Sequence, residues 1–352
     1  MNWFLGDLID RNISKKVLQS ICIVAIALST LDFLFSLISE ISDLSISYQI
    51  SDAFLYSLIS IPSSLYAYLS YICLLGVLIG LGSIKEEGEL IGAKVLGKSD
   101  FSLVIACLRP TLLIIILSFI FQEISLPSIS QANEENRLIK QNKITLDEGY
   151  WIAAESSITF FKSSPNRSLI KDITIYQLDD KNKINQVISS ASAIEEEGIW
   201  TLINSTVNNF RISDPKIYER KIWEDAPKDS DMRRILSPKY FSITELRNAI
   251  NEEVSEYRKN NLLLEYWRKI FHPIITIILV FLASSFVFGQ VRDNNLGQRL
   301  LAGIVFAFSL NMFQSLFESM AVVSFLKPLS AVLFPMLIVL LLTLFVWKIK
   351  SN

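Results

Sequence analysis

The sequence predicts an α-helical integral membrane protein with six transmembrane helices and an extracytoplasmic all-β, jelly-roll-like domain inserted between helices 3 and 4. Three observations carry that reading: six long apolar runs, a polar block separating the third from the fourth, and an uneven distribution of Lys and Arg among the loops. The 352 residues are 51% hydrophobic and 19% charged, with a mean hydropathy of +0.39, which suggests substantial burial in a bilayer.

The apolar runs are Val17 to Ser39, Ala53 to Gly82, Phe101 to Leu126, Ile270 to Gly289, Leu301 to Phe325 and Pro328 to Trp347. Each can cross a hydrocarbon core, which takes about 20 helical residues. The stretch WFLGDLIDRNI before the first run sets Phe4, Leu5, Leu8, Ile9 and Ile13 on one face, the pattern of an interfacial helix feeding the first span. That run exceeds the apolar core of a cleaved signal peptide, so it is read as an uncleaved anchor.

Loop charge orients the spans. Arg11, Lys15 and Lys16 precede the first, and Lys85, Lys94 and Lys98 follow the second, whereas Glu40 to Asp52 contains neither Lys nor Arg. The positive-inside rule places both termini, the loop from Ser83 to Asp100 and the loop around Arg292 in the cytoplasm, and the polar block outside it.

Within that block, YWIAAESSITFF, LIKDITIYQLDD, NQVISSASAIEEE and IWTLINSTVNNF are short β-rich runs between turn signals, as in a sandwich or jelly roll. Cys22, Cys73 and Cys107 all lie in spans, so none staples this domain. Ser242 and Glu245 open a polar helix with a capping-box pattern, leading to the fourth span. The resulting divisions are 1–126, with a cytoplasmic amphipathic helix over 84–97; a β-domain over 127–241; a linker helix over 242–268; and the last three spans over 269–352.

Gly92, Gly97, Lys98 and Ser99 match the phosphate-loop pattern G-x-x-x-x-G-K-[ST]. The match is fortuitous: no strand precedes Gly92, and a loop between two membrane helices has no parallel sheet around it. Ile84, Leu90, Ile91, Val95 and Leu96 form instead an apolar stripe, with Glu86, Glu87 and Glu89 at its start and Lys94 and Lys98 near its end. Such a helix is either a connector on the membrane surface or a docking helix for a cytoplasmic partner.

The only histidine, His272, is far in sequence from every cysteine and reads as interfacial. Charges in or beside the spans are more informative, because they are costly in lipid: Asp32, Arg109, Glu123 and Glu318. Arg109 can snorkel to the interface. Arg137 and Lys140, three apart on a helix leaving the outer surface, are either a solvated helix end or an anion contact.

This arrangement resembles the lipopolysaccharide-export permeases, the F and G subunits of the Lpt system, and more closely the G type. The resemblance spans the chain, through LIDRNI, LLGVLIGLGSIKEEGELIGAKVLGKS, LIKDITIYQLDDKNKINQVISSASA and EYWRKIFHPIITIILVFLASSFVFGQVR. It implies a multi-pass inner-membrane subunit, paired with a paralogous F-type permease, that moves lipopolysaccharide from the membrane to a periplasmic bridge protein. It implies no enzyme activity, metal or cofactor of its own, ATP and Mg²⁺ being bound by a separate cytoplasmic ATPase dimer, and no nucleic acid. It assigns the ATPase contact to Glu89 in GEL, within the docking segment Glu86, Glu89, Leu90, Ile91, Lys94, Val95 and Gly97, and a substrate-phosphate contact to Arg137. Lys140, Asp32 and Glu318 complete the expected substrate-contacting set. The family's lysine in the first span is replaced here by the Asp32–Phe33 stretch. The other classes are a permease of another lipid or lipoprotein exporter, whose external domain usually follows the first span, and a non-transporting scaffold. Co-purification with a stoichiometric ATPase separates a permease from a scaffold.

Overall fold

The computed structural model describes residues 7–141, 150–153, 156–166, 169–179, 183–196, 199–209, 215–223, 226, 237–253, 256–288 and 296–351. Its helices are α1 (Leu8–Ile41), α2 (Ile50–Glu86), α3 (Glu89–Val95), α4 (Asp100–Ile124), α5 (Leu126–Gln141), α6 (Ile243–Glu252), α7 (Glu256–Phe288), α8 (Leu296–Val322) and α9 (Pro328–Ser351). Six of these, α1, α2, α4, α7, α8 and α9, are long and apolar enough to cross a membrane. Between α5 and α6 lie strands β1 (Tyr150–Ala153), β2 (Ser157–Asn166), β3 (Leu169–Leu178), β4 (Ile184–Glu196), β5 (Ile199–Asn209) and β6 (Lys216–Ile222). The fold is thus an α-helical membrane protein with an inserted β-domain. It divides into two compact units, one of Met1–Ser36, Ser60–Ser128 and Phe241–Asn352, the other of Leu37–Ile59 and Ile129–Tyr240.

Several helices run past the apolar segments that predicted them. Leu8 onward, read from the sequence as an interfacial helix, is continuous with the first span. The helix expected over 84–97 is divided: Ile84 and Glu86 belong to α2, Gly88 turns the chain at φ 76, and a separate helix begins at Glu89. The polar helix expected over 242–268 is also two helices, because Glu253 is extended and α7 starts at Glu256. The cap at Ser242 has both halves of a capping box, Ser242 accepting from the Glu245 N–H and Glu245 accepting from the Ser242 N–H. Arg292 lies outside the described residues.

In the first unit the core joins Ile13, Val17 and Ile21 of α1 to Val77 and Leu81 of α2, Leu90 and Ala93 of α3, Leu103 and Cys107 of α4, and Leu279 and Ala283 of α7. Two glycines set the spacing of α1 and α2. A Cβ on Gly76 would lie 2.7 Å from the Ile21 Cα, and one on Gly80 would lie 2.8 Å from the Val17 Cα. Both are backbone atoms that cannot rotate aside, so the G-x-x-x-G spacing permits a contact that larger residues exclude. Glu123, one of the in-span charges, supports the fold itself. Its carboxylate accepts from the N–H groups of Ile243 and Thr244 at 2.9 and 3.2 Å and from the Thr244 hydroxyl at 2.5 Å. It thereby satisfies donors that a helix start leaves orphaned. Lys269 donates to the carbonyl of Phe241 just before that start.

In the second unit the six strands form one antiparallel sheet in sequence order. The expectation of a jelly-roll-like domain holds in its all-β character, while the described strands make a meander. The inward-facing positions explain how a meander encloses a core. On β3 they run Ile170, Ile173, Ile175; on β4 Ile188, Ser190, Ala193; on β5 Leu202, Ser205, Val207. Each strand therefore makes one step of three where a flat strand makes only steps of two. The steps align through the pairs Ile173↔Ser190 and Ser190↔Ser205, and the skipped residues Asp172 and Asn204 have φ of 53° and 52°. Asp and Asn are among the residues that tolerate this left-handed region. The Ser190 hydroxyl donates to the carbonyls of Ser192 and Ile203 beside the crease. Inward residues from both sides of it form one cluster, capped by Trp200 and Trp223 in edge contact.

Gly80→Leu is expected to destabilise the chain by about 1–3 kcal/mol through overpacking. Thermal unfolding of the purified protein in detergent checks this, and an unchanged midpoint would show that α1 is free to move off α2.

Candidate functional site

Three groups of polar residues stand out. The first surrounds α3. Leu90 and Ala93 point into the core, whereas Ile91, Val95 and Leu96 are 66%, 81% and 73% exposed. The stripe read from the sequence is thus divided, and Leu90, expected to face a partner, faces the chain's own interior instead. Glu86 is exposed at the end of α2. Glu89 accepts from the Asn12 amide at 2.9 Å and lies 3.1 Å from Lys16, which also bonds Glu87. Lys94 pairs with Asp100 at 2.6 Å and lies over the Phe288 ring.

The false phosphate loop resolves into separate structural roles. Gly97 takes φ 87 after α3, a conformation that suits glycine at a helix end. Lys98 reaches back to Asp10 at 2.9 Å and Asp7 at 3.1 Å, and these carboxylates hold its ammonium above the usual lysine range. Ser99 caps α4 by accepting from the Ser102 N–H at 3.2 Å. Nothing in this set is arranged to cradle a phosphate. Arg109 sits 3.4 Å from the buried carboxylate of Asp10, near the start of α1.

The second group belongs to the other unit and centres on Arg137 of α5. Its Nε donates to Glu40 at 3.1 Å, its Nη1 to Glu134 at 3.0 Å and to the Tyr56 hydroxyl at 3.2 Å, and its guanidinium lies over the Tyr56 ring. Glu40, 4% exposed, also accepts from Tyr48 and Gln141, both at 2.9 Å. Glu134 accepts from Tyr56 at 2.8 Å and Tyr240 at 3.1 Å. Burial opposes the charge on Arg137, but Tyr56, Glu134 and Glu40 outweigh it and hold its pKa above the ordinary value. Burial first, and then neighbouring carboxylates, push the Tyr48 and Tyr240 phenols up, keeping both as donors. Lys140, half-exposed on the same helix, pairs with Asp52 at 2.6 Å.

The third group lies among α2, α7, α8 and α9, around a cavity of about 90 Å³ lined by Tyr68, Ser70, Tyr71, Arg268, His272 and Glu318 among others. Asp32 interacts electrostatically with Tyr68 of this lining. Glu318 is 3.9 Å from Arg268, which is 3.3 Å from Glu265. Tyr71 donates to Gln314 at 3.1 Å, and Ser70 and Thr276 are 2.6 Å apart. His272, read as interfacial, packs against Tyr66 and belongs to this interior.

The expected substrate residues therefore fall into two sets: Asp32, through Tyr68, and Glu318 at this cavity, Arg137 and Lys140 in the other unit. Sequence reasoning missed Glu40, Glu134 and the tyrosines around Arg137. The spacing of Glu134 and Arg137 by three residues was a usable signal; Tyr48, Tyr56 and Tyr240 come from distant segments and left none. It also missed Asn12 and Lys16 as partners of Glu89.

The family model described as Lipopolysaccharide export system permease LptF/LptG matches residues 11–349. The chain is similar to the Lipopolysaccharide export system permease protein LptG of Haemophilus influenzae, at 25% identity with 98% of each chain covered. It is also similar to the protein of the same description from Escherichia coli strain K12, at 22% identity with 97% of this chain and 98% of the relative covered.

Breaking one side of a buried ion pair leaves an uncompensated charge and costs about 3–5 kcal/mol. Arg137→Gln is expected to lower stability on that scale by stranding Glu40, and Glu40→Gln in the same chain to restore part of it. Thermal midpoints of the single and double variants check this; additive losses would show that the two residues are not coupled.

Proposed function

Because the chain belongs to the lipopolysaccharide export system permease family LptF/LptG, and is a multi-pass inner-membrane permease subunit of that export system rather than an enzyme, we propose that it works as the G-type subunit, converting ATP hydrolysis by a separate ATPase dimer into extraction of lipopolysaccharide. The observation that carries this reading is the exposed triad Ile91, Val95 and Leu96, on a helix whose opposite face is fixed in the core by Leu90 and Ala93. A seven-residue helix is too short to be stable alone. Anchored from behind and apolar in front, it suits a groove on a cytoplasmic partner. ATP and Mg²⁺ belong to that partner, and this chain needs no cofactor of its own.

In this reading both termini and α3 face the cytoplasm, and the β-domain faces the periplasm, where it hands lipopolysaccharide to a bridge protein. The paralogous F-type subunit and the lipid cargo would cover the apolar flanks of α1 and α8, where Ile26, Phe35, Ile304, Phe308 and Leu316 are exposed. Arg137 and Lys140 contact substrate phosphates by exchange. Each already holds a carboxylate, so an incoming phosphate takes the place of Glu40 or Glu134 on Arg137, or of Asp52 on Lys140. Such exchange keeps the site reversible, because each phosphate contact replaces a carboxylate contact of the same kind. Asp32 and Glu318 face the cargo from the bundle, Asp32 through Tyr68 and Glu318 from the cavity. No observation favours another exporter or a scaffold.

Two measurements test these assignments. Ile91→Asp is expected to detach the ATPase while leaving this chain folded, because Ile91 supports nothing internally; an ATPase that still co-purifies stoichiometrically would remove α3 from the docking role. Lys140→Glu is expected to weaken photo-cross-linking of lipopolysaccharide about tenfold with assembly intact, in line with a charge-assisted contact. Undiminished cross-linking would remove Lys140 from the substrate path.

A further inference from the structure

The cavity among α2, α7, α8 and α9 has a polar part and an apolar part. Asn311, Gln314 and Glu318 of α8 line it, and their spacing puts them in one stripe on a helix apolar enough to cross a membrane. Polar residues in such a helix are costly unless they face something that answers them. Beside the stripe stands Arg268 of α7, 3.9 Å from Glu318. Farther along, the lining becomes Ile275 and Leu279 of α7, Leu310 of α8 and Met336 of α9. Ala67, Arg268 and Asn311 are exposed, whereas Leu279 and Leu310 are buried, so the polar part opens outward and the apolar end is closed. The stripe also has hydrogen-bonding capacity to spare. Gln314 accepts from Tyr71 at 3.1 Å, and Asn311 reaches the same hydroxyl only at 3.4 Å. Among the described residues, neither the Glu318 carboxylate nor the Gln314 amide nitrogen makes a hydrogen bond.

We propose that this cavity binds a single alkyl chain carrying an uncharged head with hydroxyl or amide groups, the chain end against Leu279, Leu310 and Met336 and the head along Asn311, Gln314 and Glu318. The volume, about 90 Å³, is several times the roughly 10–15 Å³ that one water needs. Its lining extends along α7 from Arg268 to Leu279, about 16 Å of helix. A space that small over that length is a narrow slot, which admits one chain and excludes two side by side. Hydroxyl and amide groups suit the stripe because they donate and accept alike, as Glu318 and Gln314 require. A net charge does not: an anion meets Glu318 in the lining and Glu265 behind Arg268, and a cation meets Arg268 itself. Both a free single-chain amphiphile and one chain of the cargo have this chemistry.

The test uses the whole transporter in vesicles of dioleoylphosphatidylcholine without nucleotide, and the probe is a monoacylglycerol with a diazirine at its chain end. Illumination is expected to label, saturably, peptides that contain Leu279, Leu310 or Met336, and the fatty acid and alkylamine of the same chain length are expected to label them less. Gln314→Leu removes one hydrogen bond to the head and should raise the half-saturating probe concentration about two- to tenfold. Ala67→Trp, at an exposed position of the opening, should block labelling with the thermal midpoint unchanged. Label spread without saturation over the exposed flanks of α1 and α8, equal labelling by the charged probes, or full labelling in both variants would overturn the proposal. Lipopolysaccharide added to the same vesicles separates the two sources: competition assigns the chain to the cargo, and undiminished labelling assigns it, and Glu318 with it, to a free amphiphile. No ATP hydrolysis enters the measurement, so its failure leaves the export reading standing.

Discussion

The contact on which the bundle depends is the approach of α1 to α2 over Gly76 and Gly80, where backbone nearly meets backbone. Lipid tails are as apolar as the side chains they contact, so helices in a bilayer gain little from burying hydrophobic surface and rely on close packing. Two residues without side chains provide it. With Val17 and Ile21 held there, the preceding turn is fixed, and Asn12 and Lys16 are placed beside Glu87 and Glu89. Further along the same helix come Asp32, in electrostatic contact with Tyr68, and Glu40, bonded to Arg137. One helix therefore supplies partners both to Glu89 of α3 and to Arg137 of α5.

The charges follow a common rule. Asp10 lies between Lys98 and Arg109, Glu123 receives the start of α6, and Glu318 approaches Arg268. Each of these carboxylates has a donor or a cation within 4 Å, as the low dielectric near a span requires. Arg137 takes this furthest, with two carboxylates and a phenol on its guanidinium. The effect is a cation whose position is fixed and whose charge is already answered, so that an anion reaches it only by competition. Satisfaction of that kind favours selectivity over affinity, because only a ligand offering several acceptors displaces two built-in ones.

Much of this is legible in the sequence. Six spans follow from hydropathy because membrane helices must be long and apolar, and the β-domain follows from short β-branched runs between turns. The capping box at Ser242 and Glu245 can be read directly because its chemistry is local. The failures share a cause. Leu90 and Ile91 are equally apolar neighbours, and only packing decides that one is buried and the other exposed. Lys98 and Ser99 imitate a phosphate loop because helix ends and phosphate loops use the same residue types, glycine for positive φ and serine for capping. Tyr48, Tyr56 and Tyr240 meet around Arg137 from segments far apart in the chain, which no local pattern encodes. The crease at Asp172 and Asn204 is hidden because a step of three in burial looks, in sequence, like noise in the alternation.

That crease also governs how the domain can change length. A jelly roll built by crossing strands between two sheets can lengthen one layer without disturbing the other. Here a single meander bends, and each of β3, β4 and β5 supplies both sides of the bend, with β4 extending over 13 residues. One residue added within a strand would carry its bend out of line with its neighbours' and turn half of its inward side chains outward, since side chains alternate with a period of two. Insertions and deletions are therefore confined to the hairpin ends, and the strands behave as fixed rulers whose midpoint is set by two left-handed residues.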